Sequence, residues 1–401
     1  MDEDVRRRIS RAVEEADGVL QLDPALVARD WIIGGRRLGL TDAQYEVGAR
    51  GTISERWLAS TTRADNAVGP EDEGISSVRT AGGDRLSLDV VVRDAADLVL
   101  GRNYAGSHRG LGRLAKIYDF SSRIPFHIHP PAAQAQRVGR SSKDEACYFP
   151  SGVSLGAHPE TFFGLHPGLT PEAMSDHFLE EWRRWDSDRV LGYSRAYLNV
   201  PEDGFFVPSG VLHAPGTALT IELQEDSDTL AMLQAVNDGR PVSKELLFKD
   251  VSHDDRAAKG ESALLDWVDW AENLDPYFYE NHHLAPRVIG SGDGYDEAWI
   301  LYGSRKFSGK RLRLQPGASH RSAERGVFSL LVWSGTGTIG GVAVQGGRPG
   351  SDELLVVHGR AVQDLDYVNA GDDEMVVVKF FGPDVNPDSP VIQRWAPAPA
   401  S

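Results

Sequence analysis

Pro125-Phe126-His127-Ile128-His129-Pro130 decides how this chain is read. It follows Leu114-Ala115-Lys116-Ile117-Tyr118-Asp119-Phe120, a run with the character of a β-strand. In an extended chain successive side chains alternate between faces, so His127 and His129 point the same way and can share one ion. Downstream come Lys143-Asp144-Glu145 and then Val207-Pro208-Ser209-Gly210-Val211-Leu212-His213, each beside β-like sequence. The chain thus supplies an HxH pair, a carboxylate and a third imidazole. Ligands of these types suit zinc, manganese or iron, and type alone does not choose among them. The expectation is a single mononuclear metal site inside a small β-barrel.

The composition frames that expectation. With 401 residues, two domains are the natural division, and there is ample length for a sizeable core. A net charge of −17 repels phosphate backbones and anionic lipid, which argues against nucleic acid and membrane partners. The single cysteine, Cys147, excludes an intrachain disulfide framework and suits a reducing cytosol. It lies in a strand-like run, where a buried inert thiol is expected rather than a nucleophile. The first twenty residues carry a charged amphipathic helix pattern and no apolar segment of the secretory kind, so a cytoplasmic location is expected.

Along the chain, residues 29–110 read as short strands between turn signals, with Leu86 to Val92 alternating as a strand would. Trp31 and Trp57 read as core or pocket-wall aromatics. Within the cluster that follows, residues 167–191 break the β pattern: Pro171-Glu172-Ala173 starts a helix on which Met174, Phe178, Trp182 and Trp185 form a packing stripe. Leu219 to Gln224 is a strand with Glu222 and Gln224 on one face and Ile221 and Leu223 on the other. Residues 243–285 look helical and connecting. From about residue 287 strands return, and a weak likeness between the two β units suggests two barrels in one chain. Gly335 and Gly337 precede neither a helix nor a P-loop lysine and read as a barrel corner.

The expected organisation is therefore mainly β. Residues 1–105 form an N-terminal helix and strands leading into the first barrel, and 106–242 form the metal-binding barrel with its helical insertion at 167–191. Residues 243–290 form a helical connection, and 291–401 form a second barrel expected to hold no metal, since His320 and His358 stand alone there. His158, His166 and His177 fit no ligand register and read as surface groups, and His282-His283 reads as part of the connection.

The sequence resembles the type I mannose-6-phosphate isomerases, zinc-dependent enzymes of the cupin fold. Trp31-Ile32-Ile33-Gly34-Gly35 is similar to that family's opening element, and Ile53-Ser54-Glu55-Arg56-Trp57 to its Gly-Glu-x-Trp segment. Leu98 to Gly101, Leu114 to Asp119 and Phe126 to Pro130 follow the family's next three motifs in order. So do Ser142-Lys143-Asp144-Glu145, Val207 to Ala214, and Glu222-Leu223-Gln224-Glu225-Asp226-Ser227-Asp228. The likeness covers roughly residues 29–230. It implies a bicupin, two double-stranded β-helix barrels, with one divalent ion, zinc by resemblance and manganese or iron by ligand type, on His129, Glu145 and His213. At position 127 the family's glutamine ligand is replaced by His127, giving three imidazoles and one carboxylate. A second departure concerns substrate. Where the family carries an arginine that serves the sugar phosphate, this chain has Met232, which cannot imitate a bidentate guanidinium.

Aldose–ketose isomerisation requires a Lewis acid for the developing oxyanion and a group that moves a proton between two carbons. Glu222 and Lys143 are the candidates for the second role. The alternatives are a structural ion pair for Glu222 and an electrostatic anchor or solvated residue for Lys143. The leading expectation is a metal-dependent isomerase or epimerase acting on an unphosphorylated or modified sugar. Two other readings stay open: a metal cupin with oxygenase or lyase chemistry, and a sugar-binding cupin without catalysis. Arg123, Arg137 and Arg195 are candidates to replace the missing guanidinium.

Overall fold

The strands Leu114–Tyr118, Glu145–Tyr148 and Thr220–Gln224 are buried along their whole length, which a strand achieves only when both of its faces are covered. Alternation then divides their residues between two environments. Ala115, Ile117, Ala146, Tyr148, Ile221 and Leu223 join one apolar cluster. Lys116, Glu145, Cys147, Glu222 and Gln224 fall on the opposite face.

The computed structural model describes residues 3–396. The three strands sit at the centre of a seven-stranded sheet whose neighbours run His283–Leu284, Gly204–Val207, Glu145–Tyr148, Thr220–Gln224, Leu114–Tyr118, Ile53–Leu58, Ala25–Ala28. A five-stranded sheet, Arg195–Leu198, Glu160–Phe163, His213–Ala214, His127–Ile128, Ala231–Met232, completes the first barrel. Six strands of a nine-stranded sheet repeat the order of the first large sheet. Glu353–Val356, Phe328–Ser334, Met375–Phe381, Ser308–Leu314, Tyr295–Leu301 and Arg287–Gly292 stand where Gly204–Val207 through Ala25–Ala28 stand in the first. The four-stranded sheet Ser319–Ser322, Leu365–Asn369, Thr336–Ile339, Val342–Gln345 is the second barrel's smaller wall. The protein is a mainly β bicupin.

The barrels pack back to back. Ile117, Ile221 and Leu223 of the first share their cluster with Ile300, Leu331, Val378 and Phe380 of the second. Burial of apolar surface on that scale dominates the energetics of such a seam, at about 25 cal/mol per Å² removed from water. Buried ion pairs fix its register: Arg56 of the first barrel reaches Asp352 at 2.6 Å and Glu353 at 3.0 Å in the second.

Two local readings are corrected. Leu86 to Val92 is not a strand; only Arg85–Ser87 is extended, and Leu88–Asp94 is a helix. Leu88, Val91 and Val92 are buried, a spacing of three and four that suits one face of a helix better than alternation does. The N-terminal segment also does more than lead into the first barrel, because Val19–Asp23 pairs with Glu353–Val356 and extends the second barrel's sheet. Within the insertion, Pro171–Arg184 is a helix capped by the Thr170 hydroxyl and ended by Trp185 at φ 51°. Its Met174, Phe178 and Trp182 pack against Ala263, Leu264 and Trp267 of the connecting segment. Among the described residues no helix is long and apolar enough to cross a membrane.

Candidate metal centre and its charged pocket

The register of the smaller sheet creates the cluster. His127 and His213 are direct antiparallel partners, and His129 follows two residues along the same strand direction. One ring nitrogen from each of His127, His129 and His213 lies within 4.8 Å of the others, and all three residues are buried. Their Nδ1 atoms are engaged by backbone carbonyls: Pro125 O at 2.8 Å, Thr229 O at 2.7 Å and Val211 O at 3.0 Å respectively. A carbonyl can only accept, so each Nδ1 carries the proton and each Nε2 presents a lone pair, as in metal-binding histidines oriented by outer partners. Gly210, at φ +88°, makes the turn that delivers His213, and its N–H donates to His129 O at 3.0 Å.

Glu145 enters from the large sheet. Its two oxygens lie 3.0 Å from His213 Nε2 and 3.2 Å from His129 Nε2. His213 Nε2 is buried without a hydrogen-bond partner, and the Lys143 ammonium lies 3.0 Å from His129 Nε2 and against Glu145. A cationic head therefore already sits among these donors. Three lone-pair nitrogens, a carboxylate, an unpartnered buried Nε2 and a cation beside them together fit a divalent metal ion. Burial, followed by the other two imidazoles, holds His127 well below the ordinary histidine range. Burial and then Lys143 push His129 down to about 3. Burial acts to raise the Glu145 carboxyl, but Lys143, His129 and His213 outweigh it and keep it well below the usual carboxylate range. Neutral imidazoles and an ionised carboxylate are the protonation states that ligation demands.

Beside the histidines runs a buried chain of alternating charge. Glu222 Oε1 lies 3.0 Å from Lys116 Nζ and 3.6 Å from Lys143 Nζ, yet makes no hydrogen bond. Lys116 also lies 3.7 Å from Glu55. Glu55 accepts from Trp57 Nε1 at 2.8 Å and from Arg29 at 2.6 Å, and Arg29 reaches Asp228 at 2.8 Å. Burial opposes charge on Lys116, but Glu222 and Glu55 more than reverse it and raise its pKa. Burial likewise works against ionisation of Glu55 and Asp228, and Arg29 leads the charges that hold both below their ordinary range. All of these groups line one narrow pocket of about 40 Å³ with His127 and His129.

Of the residues expected at the site, His127, His129, Glu145, His213, Lys143 and Glu222 are brought together. Met232 lies there too, directly opposite His127 in the strand register, buried and in the pocket wall. The three arginines considered as replacements lie elsewhere. Arg123 pairs with Glu160 and stacks on Phe162, Arg137 pairs with Asp255, and Arg195 donates to Asp275 O at 2.6 Å. The residues whose roles sequence reasoning missed are Lys116, Arg29 and the carboxylates that Arg29 holds, Glu55 and Asp228. A lysine inside the apolar run Leu114–Tyr118 was the available signal, since such a position is costly without a buried partner. His282 is also more than a connecting residue. It is buried, bonded to Phe206 O at 2.9 Å and Glu272 at 3.0 Å, and stacked on Phe278.

The sequence matches no protein-family model and no curated protein. Comparison with solved structures does find similar architecture. The mannose 6-phosphate isomerase of Bacillus subtilis superposes with a TM-score of 0.63 at 17% identity, over 90% of this chain and 99% of that one. A variant of the phosphomannose isomerase of Salmonella typhimurium superposes with a TM-score of 0.63 at 10% identity, over 91% and 100% of the two chains. At such identities the likeness is one of fold, and it extends over both barrels of the chain.

Proposed function

We propose that this protein is a metal-dependent aldose–ketose isomerase, or an epimerase using the same proton chemistry, acting on an unphosphorylated or otherwise modified sugar. The observation that carries the reading is the pairing of a buried three-histidine, one-glutamate donor set with a second buried carboxylate, Glu222, held beside it by ion pairs to Lys116 and Lys143. His127, His129, Glu145 and His213 would hold the ion, which when bound supplies Lewis acidity to a sugar carbonyl. Glu222 is the proton carrier: its Oε1 is buried, faces the pocket and accepts no hydrogen bond. It takes the proton from the carbon beside the carbonyl and returns it to the carbonyl carbon, while the hydroxyl proton passes between the two oxygens. Lys116 and Lys143 hold Glu222 from two sides, and Lys143 stands where it can donate toward an oxygen that gains negative charge. Burial excludes bulk water from all three groups, which strengthens each interaction.

Met232 supports a substrate without a phosphate. It occupies the wall beside His127, and no other arginine of the pocket is free, since Arg29 is held by Glu55 and Asp228. The test is proton NMR in heavy water with metal-loaded protein and a panel of free sugars, deoxy sugars and sugar 6-phosphates. Loss of the signal beside the carbonyl of a free sugar, with the isomer appearing, is the expected result. Silence across the panel with metal bound would overturn the isomerase reading. Metal content per chain is the companion measurement: His129→Ala should abolish stoichiometric metal, and undiminished content would remove the proposed centre.

A further inference from the structure

Among the described residues Trp31 is the only one lining the pocket that is not buried, so it marks the entrance. On one side it packs against Phe120 and Ile124, and on the other against Leu230 and Met232. All five line the pocket. The entrance is thus a collar of ring and methyl surface, set above a floor of charged residues, two imidazoles and few apolar groups.

The charges beneath the collar are committed. Arg29 is bound to Glu55 and Asp228, Lys116 to Glu222 and Glu55, and Lys143 to Glu145. Three cations face four carboxylates in the pocket wall. A phosphate ester entering here would find no uncommitted guanidinium or ammonium to pair with. A bare hydroxyl at the collar would give up water for apolar neighbours, which costs free energy, whereas a methyl group gains from the same burial.

Resting on the isomerase reading above, we infer that the collar of Trp31, Phe120, Ile124, Leu230 and Met232 selects a neutral deoxy sugar. The end of this substrate remote from the reacting carbonyl is a methyl group rather than a hydroxymethyl or a phosphate ester. Trp31 and Met232 are the specificity-determining residues. Trp31 presents the partly open face, and Met232 places a thioether where a guanidinium would reverse the preference. A single apolar group in a fitted pocket discriminates by about 10- to 200-fold, so the preference is large enough to measure.

The test is calorimetric titration of the zinc-loaded protein with aldohexoses, their 6-deoxy forms and their 6-phosphates, D-mannose, 6-deoxy-D-mannose and mannose 6-phosphate among them. Turnover is followed in parallel. The expected order is deoxy sugar tightest and phosphate weakest, with about tenfold or more between the extremes. Met232→Arg should invert that order. Because Met232 is wholly buried, Trp31→Arg at the half-exposed entrance provides a second variant that tolerates charge, and it too should raise phosphate affinity at the deoxy sugar's expense. A phosphate that binds tightest to the unaltered protein, or a ranking left unchanged by Trp31→Arg, overturns the inference. The expected binding order without turnover of any sugar would uphold the collar and discard the isomerase. Turnover that favours the phosphate would do the reverse.

Discussion

Where the first barrel sets His127 opposite His213, the second sets His320 opposite Tyr367. The correspondence continues strand by strand. Trp57 is paired with Lys116 in the first barrel and Trp299 with Lys310 in the second. Lys116 faces Glu222, and Lys310 faces Lys379. Glu145, which pairs with Gln224, corresponds to Phe328, which pairs with Phe381. Ser322 stands two residues beyond His320, as His129 stands two beyond His127. Both barrels therefore keep a buried, charged interior on one scaffold, and they differ in how those charges are satisfied. In the second, Lys379 is gripped by Glu297 at 2.7 Å and Glu324 at 2.8 Å, Lys310 also binds Glu324 at 2.7 Å, and Lys379 lies over the Tyr367 ring. That cluster closes on itself. In the first, His213 Nε2 and Glu222 Oε1 are left without hydrogen bonds, and Glu222 lines a pocket with His127 and His129. A closed cluster specifies a core, and an open one invites a ligand.

Removing the central lysine of each barrel puts this contrast to its most severe test. Lys116→Met leaves Glu222 and Glu55 without their shared cation, and Lys379→Met leaves Glu297 and Glu324 without theirs. Each should destabilise the fold by about 3 to 5 kcal/mol, the usual cost of stripping one partner from a buried pair. Denaturant unfolding should thus register the two variants alike. Activity per folded molecule should separate them, falling at least tenfold for Lys116→Met and staying near the unaltered value for Lys379→Met. Equal activity in both would mean that the first barrel's charges are as structural as the second's.

A smaller effect tests the seam between the barrels. Glu353 accepts from the Ala59 N–H at 2.7 Å and from Arg56 at 3.0 Å, while the same Arg56 is also bound to Asp352. Burial pushes the Glu353 carboxyl up to about 7, and Arg56 only partly offsets it. Unfolded, this group titrates near 4.5, so between those two values the folded protein holds a proton that the unfolded chain has released. Its contribution to stability is complete below pH 4.5 and is lost as the pH rises through 7, a change of about 3 kcal/mol. Glu353→Gln should remove this dependence and make the protein more stable than its parent at pH 8, as followed by urea unfolding at pH 5, 6.5 and 8. An unchanged pH profile would assign the seam's charge balance to other groups.

The sequence carried the site more clearly than the scaffold that serves it. His127, Ile128 and His129 reveal their shared face through alternation alone, and Glu145 and His213 follow in register, because ligands on adjacent strands need only short-range periodicity to be read. Lys116 was visible as a residue but silent as a function. Its meaning lies in having Glu222 opposite it on one neighbouring strand and Glu55 on the other, which only strand pairing supplies. Arg29 and Asp228 are 199 residues apart in the chain, and no local pattern announces their bond. The pairing of Val19–Asp23 with Glu353–Val356 escaped for the same reason: strand neighbours are chosen by tertiary packing, not by propensity. Leu88–Asp94 misled because valines at 90, 91 and 92 favour strands, while burial at 88, 91 and 92 favours the helix that formed.

The second barrel has unpartnered buried polar atoms of its own, Ser322 Oγ and the Tyr367 hydroxyl among them. The Tyr367 hydroxyl, at the position matching His213, is buried and has no hydrogen-bond partner, although Lys379 lies 4.6 Å from its ring centroid. A buried hydroxyl without a partner has lost its water and gained nothing in return, so deleting it should cost little. Tyr367→Phe keeps the ring beneath the ammonium and discards only the oxygen. Its expected effect is within about 1 kcal/mol of zero and on the stabilising side, with sugar turnover and metal content unchanged. Loss of more than about 1 kcal/mol would show that the hydroxyl is engaged after all, through an ordered water or a ligand of the second barrel. In that case the two interiors would differ in the identity of what they hold rather than in whether they hold anything.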